Sequence, residues 1–478
     1  GENMTRLAAR IRKVPLALAL LLSGIAAGAA AAQDAIVGDW QGTLEIPGAT
    51  LPLIFHITQT DDGLTATLDS PAQGSSGIPV SRVVFEPPRI ELEVAAVNGG
   101  YAGELDGDTI TGTWSQNGGE LALTLERASG AAAMPNRPQE PQAPFPYRVE
   151  EVRIAGSEPD VTLAGTLTAP QGEGPFPAVV LISGSGPQDR DESLMGHRPF
   201  LVLADHLSRR GVAVLRLDDR GVGASTGSFA AATLVEFADD TQSAVRFLDE
   251  RADIGPIGLI GHSKGGLVAP LVANRSSRVR FVVLLAGPGM TGKELLPLQN
   301  DVVIRAMGGS AEAAAANREI QVALITVLES VNDPEAARVR MREILVDALT
   351  RPGGRTADEL EPQIQAQLAQ LTGAGLRYFL NYDPLPALRT LDRPVLAVNG
   401  ERDTQVPPRE NLDAIRRALT SGNTDDFEVV ELPGLNHLFQ TARTGAPTEY
   451  GTIEETMSPV ALEMITTWIL ARVDTATP

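Results

Sequence analysis

The sequence predicts an α/β body built on a mostly parallel sheet flanked by helices, with a helical cap inserted into it and a small all-β, barrel-like unit ahead of it. Three observations carry this prediction. Residues 36–127 alternate apolar and polar side chains with period two. From about residue 147, continuous apolar runs alternate with helical stretches. Between residues 291 and 380 that rhythm gives way to amphipathic helical segments rich in Ala, Leu, Glu, Gln and Arg.

The chain has 478 residues, more than one core usually organises. Its N-terminus reads as an address. Arg6, Arg10, Arg12 and Lys13 precede an apolar stretch from Leu16 to Ile25, and Ala30-Ala31-Ala32 offers a small-residue cleavage site. Residues 1–32 are therefore set aside as a cloning remnant (Gly1-Glu2-Asn3) and a signal peptide, with an uncleaved N-terminal anchor as the alternative. The address implies a periplasmic or secreted protein with no stable membrane insertion after cleavage. The chain has no cysteine, which excludes disulfides, thiol catalysis, a lipidated cysteine and Cys-based zinc sites. A formal net charge of −21 excludes phosphate-backbone binding to nucleic acid and docking on anionic lipid.

Residues 33–128 form the expected all-β unit. Leu51, Leu53, Phe55 and Ile57 alternate, as do Ile90, Leu92 and Val94, and Leu121, Leu123 and Leu125. Asp61-Asp62-Gly63, Asn98-Gly99-Gly100, Asp106-Gly107 and Asn117-Gly118-Gly119 supply turns. About eight short strands at this spacing suit a small barrel or sandwich, with Trp40 and Trp114 in its core. Residues 129–146, with prolines at 135, 138, 141, 144 and 146, read as a linker.

In residues 147–478 the runs 178–183, 212–218, 257–261, 281–286, 394–400 and 427–432 read as strands, and 199–210, 233–250, 264–274 and 459–473 as helices. The helical block at about 291–384, punctuated by Pro334 and Pro352-Gly353-Gly354, is expected to cap the sheet edge.

Gly261-His262-Ser263-Lys264-Gly265 has the form G-x-S-x-G between a strand and a helix, the setting that exposes a serine hydroxyl on a tight turn. Ser263 is the candidate nucleophile. A serine needs a base, and only five histidines are present. His437 follows the strand 427–432 and completes the chain order Ser, acid, His. His56 sits in the β unit, His197 and His206 near an early helix, and His262 beside the serine. Asp403, just past the strand ending at Gly400, is the candidate orienting acid, with Glu401, Asp383 and Asp392 as alternatives. The backbone N–H groups of Lys264 and Ser185 are the expected oxyanion donors, with Gly186 as second choice for the latter. The Ser183-Gly184-Ser185-Gly186 stretch could instead be a mere tight turn. Asp218, Arg220, Gly186 and His262 are candidate pocket walls. For Asp218 and Arg220 the competing reading is an Asp–Arg network fixing the loop. The Lys264 side chain is expected to point to solvent or to a carboxylate in the pocket. No histidine pair has ligand spacing, so no metal is expected, and acyl transfer through a serine needs no cofactor.

On Ser183-Gly184-Ser185-Gly186-Pro187-Gln188-Asp189-Arg190-Asp191, Leu217-Asp218-Asp219-Arg220-Gly221, Gly261-His262-Ser263, Tyr378-Phe379-Leu380, Tyr382-Asp383-Pro384, Asn399-Gly400-Glu401-Arg402-Asp403 and Asn436-His437, residues 147–478 resemble the bacterial α/β-hydrolase serine esterases related to the dienelactone-hydrolase and prolyl-oligopeptidase groups. The resemblance implies the α/β-hydrolase fold and hydrolysis of small carboxylic esters. Lys264 departs from the pattern, since acidic or apolar residues are commoner there. Two other readings stay open: a serine peptidase acting on short peptides, and a polymer- or partner-binding protein with an inactive hydrolase domain.

Overall fold

The computed structural model describes residues 35–46, 49–60, 63–70, 75–116, 119–128, 136–350 and 356–473. The expected signal segment, residues 129–135 of the expected linker and Pro352-Gly353-Gly354 lie outside the described residues. The chain forms two compact units.

The N-terminal unit is one antiparallel sheet of nine strands: β1 (Gly38–Ile46), β2 (Ala49–Thr60), β3 (Gly63–Ser70), β4 (Ser75–Pro79), β5 (Arg82–Glu86), β6 (Arg89–Val94), β7 (Gly99–Asp106), β8 (Thr109–Gln116) and β9 (Gly119–Arg127). The spatial order is β4-β3-β2-β1-β9-β8-β7-β6-β5. Pairing of β1 with β9 joins the two ends of the meander. Residues 80 and 81 run between the outer strands, the Val80 N–H donating to Ala66 of β3 (3.1 Å) and the Ser81 N–H to Glu93 of β6 (2.7 Å). The sheet thus curls until its two edges share one connecting turn, which gives it a barrel-like form. Period-two alternation fills the inside: the Phe55 ring packs against Tyr101 and Trp114 with centroids 6.0 and 6.3 Å away, and Trp40 is buried as well. His56 lies partly exposed on β2, between Asp39 of β1 (2.7 Å) and Asp69 of β3 (3.0 Å).

The C-terminal unit has an eight-stranded sheet: β10 (Tyr147–Ala155), β11 (Thr162–Pro170), β12 (Phe176–Ile182), β13 (Ala213–Leu217), β14 (Ile254–His262), β15 (Val279–Leu285), β16 (Val395–Gly400) and β17 (Phe427–Leu432). The order is β10-β11-β13-β12-β14-β15-β16-β17. The first two strands, absent from the sequence reading, are antiparallel to each other, and β11 is antiparallel to β13. From β13 to β17 all pairs are parallel. Helices α1 (Pro199–Arg209), α2 (Leu234–Asp249) and α3 (Gly265–Arg275) follow β12, β13 and β14. A Thr233–Glu236 capping box starts α2.

The strand order reverses around β12. The chain runs from β12 to β13 on one side, then crosses to β14 on the other. Apolar side chains of α1 join one face of the sheet, with Val179 and Leu181, whereas those of α2 and α3 join the other, with Val180 and Ile182. The loops leaving β12 and β14 therefore part to opposite faces, and such a switch point opens a crevice at the carboxyl ends of the strands.

Between β15 and β16 the chain forms α4 (Gly292–Ala306), α5 (Ala311–Ser330), α6 (Pro334–Thr350), α7 (Ala357–Leu371), α8 (Ala374–Asn381) and α9 (Leu385–Thr390). The helices from α5 to α8 bury a separate apolar cluster that includes Leu328, Met341, Ile364 and Leu380. Helix α10 (Pro408–Thr420), not anticipated from sequence, joins β16 to β17, and α11 (Pro459–Val473) closes the chain. The described part of the proline-rich segment, 136–146, is held against this unit. The Arg137 guanidinium donates to the carbonyls of Met195, Gly196, Gly451 and Ile453 at 2.8–3.2 Å, and Glu140 pairs with Arg198 at 2.7 Å. Among the described residues no helix is long and apolar enough to cross a membrane.

Candidate active site

Strand β14 ends at His262 and α3 begins at Gly265, which leaves two residues for the reversal. Ser263 takes it with φ at +51°, a left-handed conformation that strains any residue with a Cβ. The turn closes only because its flanks lack side chains. A Cβ on Gly261 would lie 2.1 Å from the carbonyl oxygen of Gly265, and one on Gly265 would lie 2.1 Å from that of Ile182. The Ser263 N–H donates to the carbonyl of Leu285 (2.8 Å), which ties the turn to β15.

Asp403 lies in the loop after β16 and is 2% exposed. One carboxylate oxygen accepts the N–H groups of Gln405 (2.8 Å) and Val406 (2.9 Å), and the other lies 2.8 Å from Nδ1 of His437. The carboxylate is thereby fixed, and it fixes the imidazole. His437 sits in the loop after β17, which the Asn436 side chain braces by accepting the N–H groups of Leu438 and Gln440. The competing acids are engaged elsewhere. Glu401 accepts from the Gly434 N–H, Asp383 from the Leu385 N–H, and Asp392 pairs with Arg393. Ser263 and His437 line one cavity of about 340 Å³ at the switch point, between the loops after β12 and β14 and helices α4 and α8.

The loop after β12 supplies the rest. Among residues 184–188, Gly184 donates its N–H to Glu192 (2.6 Å), residue 187 is proline, and Gln188 donates to Asp219 (3.2 Å). The N–H groups of Ser185 and Gly186 are the two left without an acceptor among the described residues. Ser185 lines the cavity, whereas Gly186 is not among its walls. The N–H of Lys264, at the start of α3, likewise has no acceptor among the described residues. These donors and the α3 N-terminus favour negative charge beside Ser263.

Two sequence expectations need correction. Asp218 and Arg220 are not walls of this cavity. Asp218 is gripped by the Arg190 guanidinium (2.9 and 3.1 Å), and Arg220 by Asp240 (2.7 and 2.8 Å), so each sits in an Asp–Arg pairing, the competing reading of the sequence. The Lys264 side chain points neither to solvent nor to a carboxylate in the pocket. It is 11% exposed, with its ammonium 3.7 Å from the Phe237 ring centroid and 4.0 Å from Asp219. Phe237 is a core residue of α2, so the helix-start position aims the lysine down among α2 and the end of β13.

His262, the remaining expected wall, does line the cavity. Its Nδ1 lies 2.9 Å from Glu192 and its Nε2 lies 3.0 Å from the carbonyl oxygen of His437. With both nitrogens engaged it has no free basic edge. Glu192 is a residue that sequence reasoning missed. It lies in a loop without periodicity, and its only signal was an acid at the end of the Gly-rich motif. His197 and His206 do not line the cavity. His197 is buried between Thr456 and Tyr450 and pushed down to about 4, mainly by burial, and His206 lies 3.9 Å from Glu463 on α11.

A family model described as an alpha/beta hydrolase family matches residues 179–446. Over 300 residues the chain is 29% identical to Esterase EstD of Thermotoga maritima, an alignment covering 61% of this chain and 63% of that protein. The chain therefore spans less than two thirds of that relative's length. Among solved structures, the esterase Pf2001 of Pyrococcus furiosus is 17% identical with a TM-score of 0.41, covering 72% of this chain and 99% of that one. Est1E of Butyrivibrio proteoclasticus, solved with ferulic acid, is 18% identical with a TM-score of 0.40, covering 68% and 99%. The family match takes in more than half of the chain and contains Ser263, Asp403 and His437, and the protein belongs to the alpha/beta hydrolase family.

Proposed function

We propose that this protein is an exported carboxylesterase that works through an acyl-enzyme on Ser263. The observation that carries the reading is the buried Asp403–His437 pair facing the same cavity as a serine held at positive φ. Asp403 holds the proton on Nδ1 of His437, so Nε2 is the basic edge. His437 removes the Ser263 proton as the hydroxyl oxygen attacks the ester carbonyl. The N–H groups of Ser185 and Lys264 receive the developing oxyanion. His437 returns its proton to the leaving alcohol, and the same residues then activate water to release the acid. Export rests on the N-terminal address, and a periplasmic or extracellular enzyme would meet small esters there.

The cavity supports esters over peptides with a free amine. Its walls are chiefly apolar, including Leu194, Leu295, Leu376, Phe379 and Leu438. Among the described residues its one carboxylate wall is Glu192, one oxygen of which is engaged by Gly184 and His262. That single acid already faces the His262 ring, which weakens its hold on a substrate ammonium, and the volume suits a small neutral acyl chain. Short p-nitrophenyl esters should be hydrolysed and aminoacyl-nitroanilides should not, and Ser263→Ala should lose at least about 10⁴-fold in kcat. Ester turnover that survives Ser263→Ala removes the mechanism.

A further inference from the structure

Glu192 and His262 take no part in the steps above, yet they stand between the two groups of residues that do. One oxygen of Glu192 accepts the Gly184 N–H (2.6 Å) and meets Nδ1 of His262 (2.9 Å). Nε2 of the same ring lies 3.0 Å from the carbonyl oxygen of His437. A carbonyl has no proton to give, so Nε2 carries one. Nδ1 faces a carboxylate oxygen that already accepts from a backbone amide, so it donates as well. A ring that donates at both nitrogens is an imidazolium. The rings of His262 and His437 are 4.8 Å apart at their centroids, so the charge lies directly against the base.

Glu192 itself has φ at +54°, uncommon for a residue with a side chain. The strain persists only where the surroundings fix the residue, here through Gly184, His262 and the Glu192 N–H to Asp189 bond (3.0 Å). Burial pulls the His262 ring down, but the carboxylate of Glu192, the His437 carbonyl and the charge of Asp403 outweigh it and leave the ring above its usual value. The titratable groups facing His262 are Glu192 from the loop after β12, and Asp403 and His437 from the loops after β16 and β17. Lys264 and Asp219 add their charges near Glu192.

We propose that Glu192 and His262 form a buried charge clamp that holds the two halves of the site in register. The carboxylate sets the oxyanion loop through Gly184, and the imidazolium sets the base-bearing loop through the backbone of His437. Both are positioning residues, and the proposal rests on the roles given above to Ser185 and His437. Because the ring is raised, the imidazolium half of the clamp is in place at neutral pH and is lost as pH rises through the folded-state value of His262.

Two readouts test it. With ring-¹⁵N-labelled histidine in the full chain, and the His262 signal assigned by its loss in His262→Gln, both ring nitrogens should be protonated near neutral pH. Glu192→Gln should turn the ring neutral at the same pH. On a p-nitrophenyl ester, Glu192→Gln should lose about 10- to 100-fold in kcat with little change in KM, and its alkaline limb should move to lower pH. A lowered yield of folded enzyme with an unmoved alkaline limb would mean a merely structural pair and would overturn the clamp. So would a neutral His262 ring in the unaltered protein, a spectrum that decides the matter even if Glu192→Gln does not fold. The ring spectrum needs no substrate, so failure of the esterase reading under Ser263→Ala is distinguishable from failure of the clamp.

Discussion

Lys264→Met is the perturbation whose outcome follows most directly from the geometry. The ammonium stands 4.0 Å from Asp219 and 3.7 Å from the Phe237 ring centroid, and makes no direct hydrogen bond. A cavity of about 40 Å³ beside it has room for a bridging water. At 4.0 Å and an effective dielectric near 20, the two charges attract by about 4 kcal/mol. Most of that is offset by the desolvation of both groups, so the pair itself contributes little net. Removing one partner is different. Asp219 would keep only the Ser183 hydroxyl (2.7 Å) and the Gln188 N–H (3.2 Å) as donors, with a buried charge left unbalanced. Lys264→Met is therefore expected to destabilise the C-terminal unit by about 3 kcal/mol near pH 8. The sign of the pH dependence follows from the acid. Burial already raises Asp219, and Lys264 partly offsets that, so the variant raises it further. An acid with a raised folded-state value lowers stability where it is ionised, and the penalty fades as it takes up its proton. Urea unfolding should thus show a deficit that is large near pH 8 and shrinks toward pH 5. Adding Asp219→Asn should return part of it, with a coupling of about 2 kcal/mol. A variant as stable as the parent near pH 8, or additive effects in the double variant, would refute the reasoning.

Asp403→Asn keeps an oxygen for the Gln405 and Val406 amides but presents an NH₂ to Nδ1 of His437, which favours the wrong tautomer. The expected loss is about 10⁴-fold in kcat on a p-nitrophenyl ester with an unchanged unfolding midpoint, and a loss under about tenfold would reject Asp403 as the orienting acid. Gly265→Ala places a Cβ 2.1 Å from the backbone oxygen of Ile182, which cannot swing aside as a side chain could, so the elbow must shift. A loss of at least about 10²-fold in kcat/KM is expected, and parent-like kinetics would show that the turn can relax.

What the sequence made legible, and what it did not, follows from the range of the forces involved. The triad candidates lie just past the ends of β14, β16 and β17, and a parallel sheet gathers such ends on one edge whatever lies between them. Chain order and strand pattern were therefore enough to bring Ser263, Asp403 and His437 together. The β10–β11 pair escaped because β11 is buried almost throughout and shows no alternation. Lys264 was misjudged because its neighbour in sequence faces the cavity, whereas its own direction is set by the Phe237 ring on another helix. Glu192 was invisible because its role depends on a histidine 70 residues further along the chain.

Two of the motifs behind the family resemblance, Ser183 to Asp191 and Leu217 to Gly221, work together with their neighbours Arg216 and Glu192. The end of β13 presents Arg216, Asp218 and Asp219 in one short stretch, and each grips the loop after β12. Arg216 pairs with Asp191, Asp218 holds Arg190, and Asp219 holds the Ser183 hydroxyl and the Gln188 N–H. Glu192 then takes Gly184 from the other end. A loop with glycine at positions 184 and 186 has large conformational freedom there, and its N–H groups would not point at one place unaided. Oxyanion donors accelerate a reaction only when no reorganisation is needed at the moment charge develops. The buried charges are therefore placed where they fix the backbone on both sides of Ser185 and leave its N–H, with that of Gly186, as the donors still to be satisfied. That arrangement makes a cluster of costly buried ions useful: each leaves one fewer way for the loop to move.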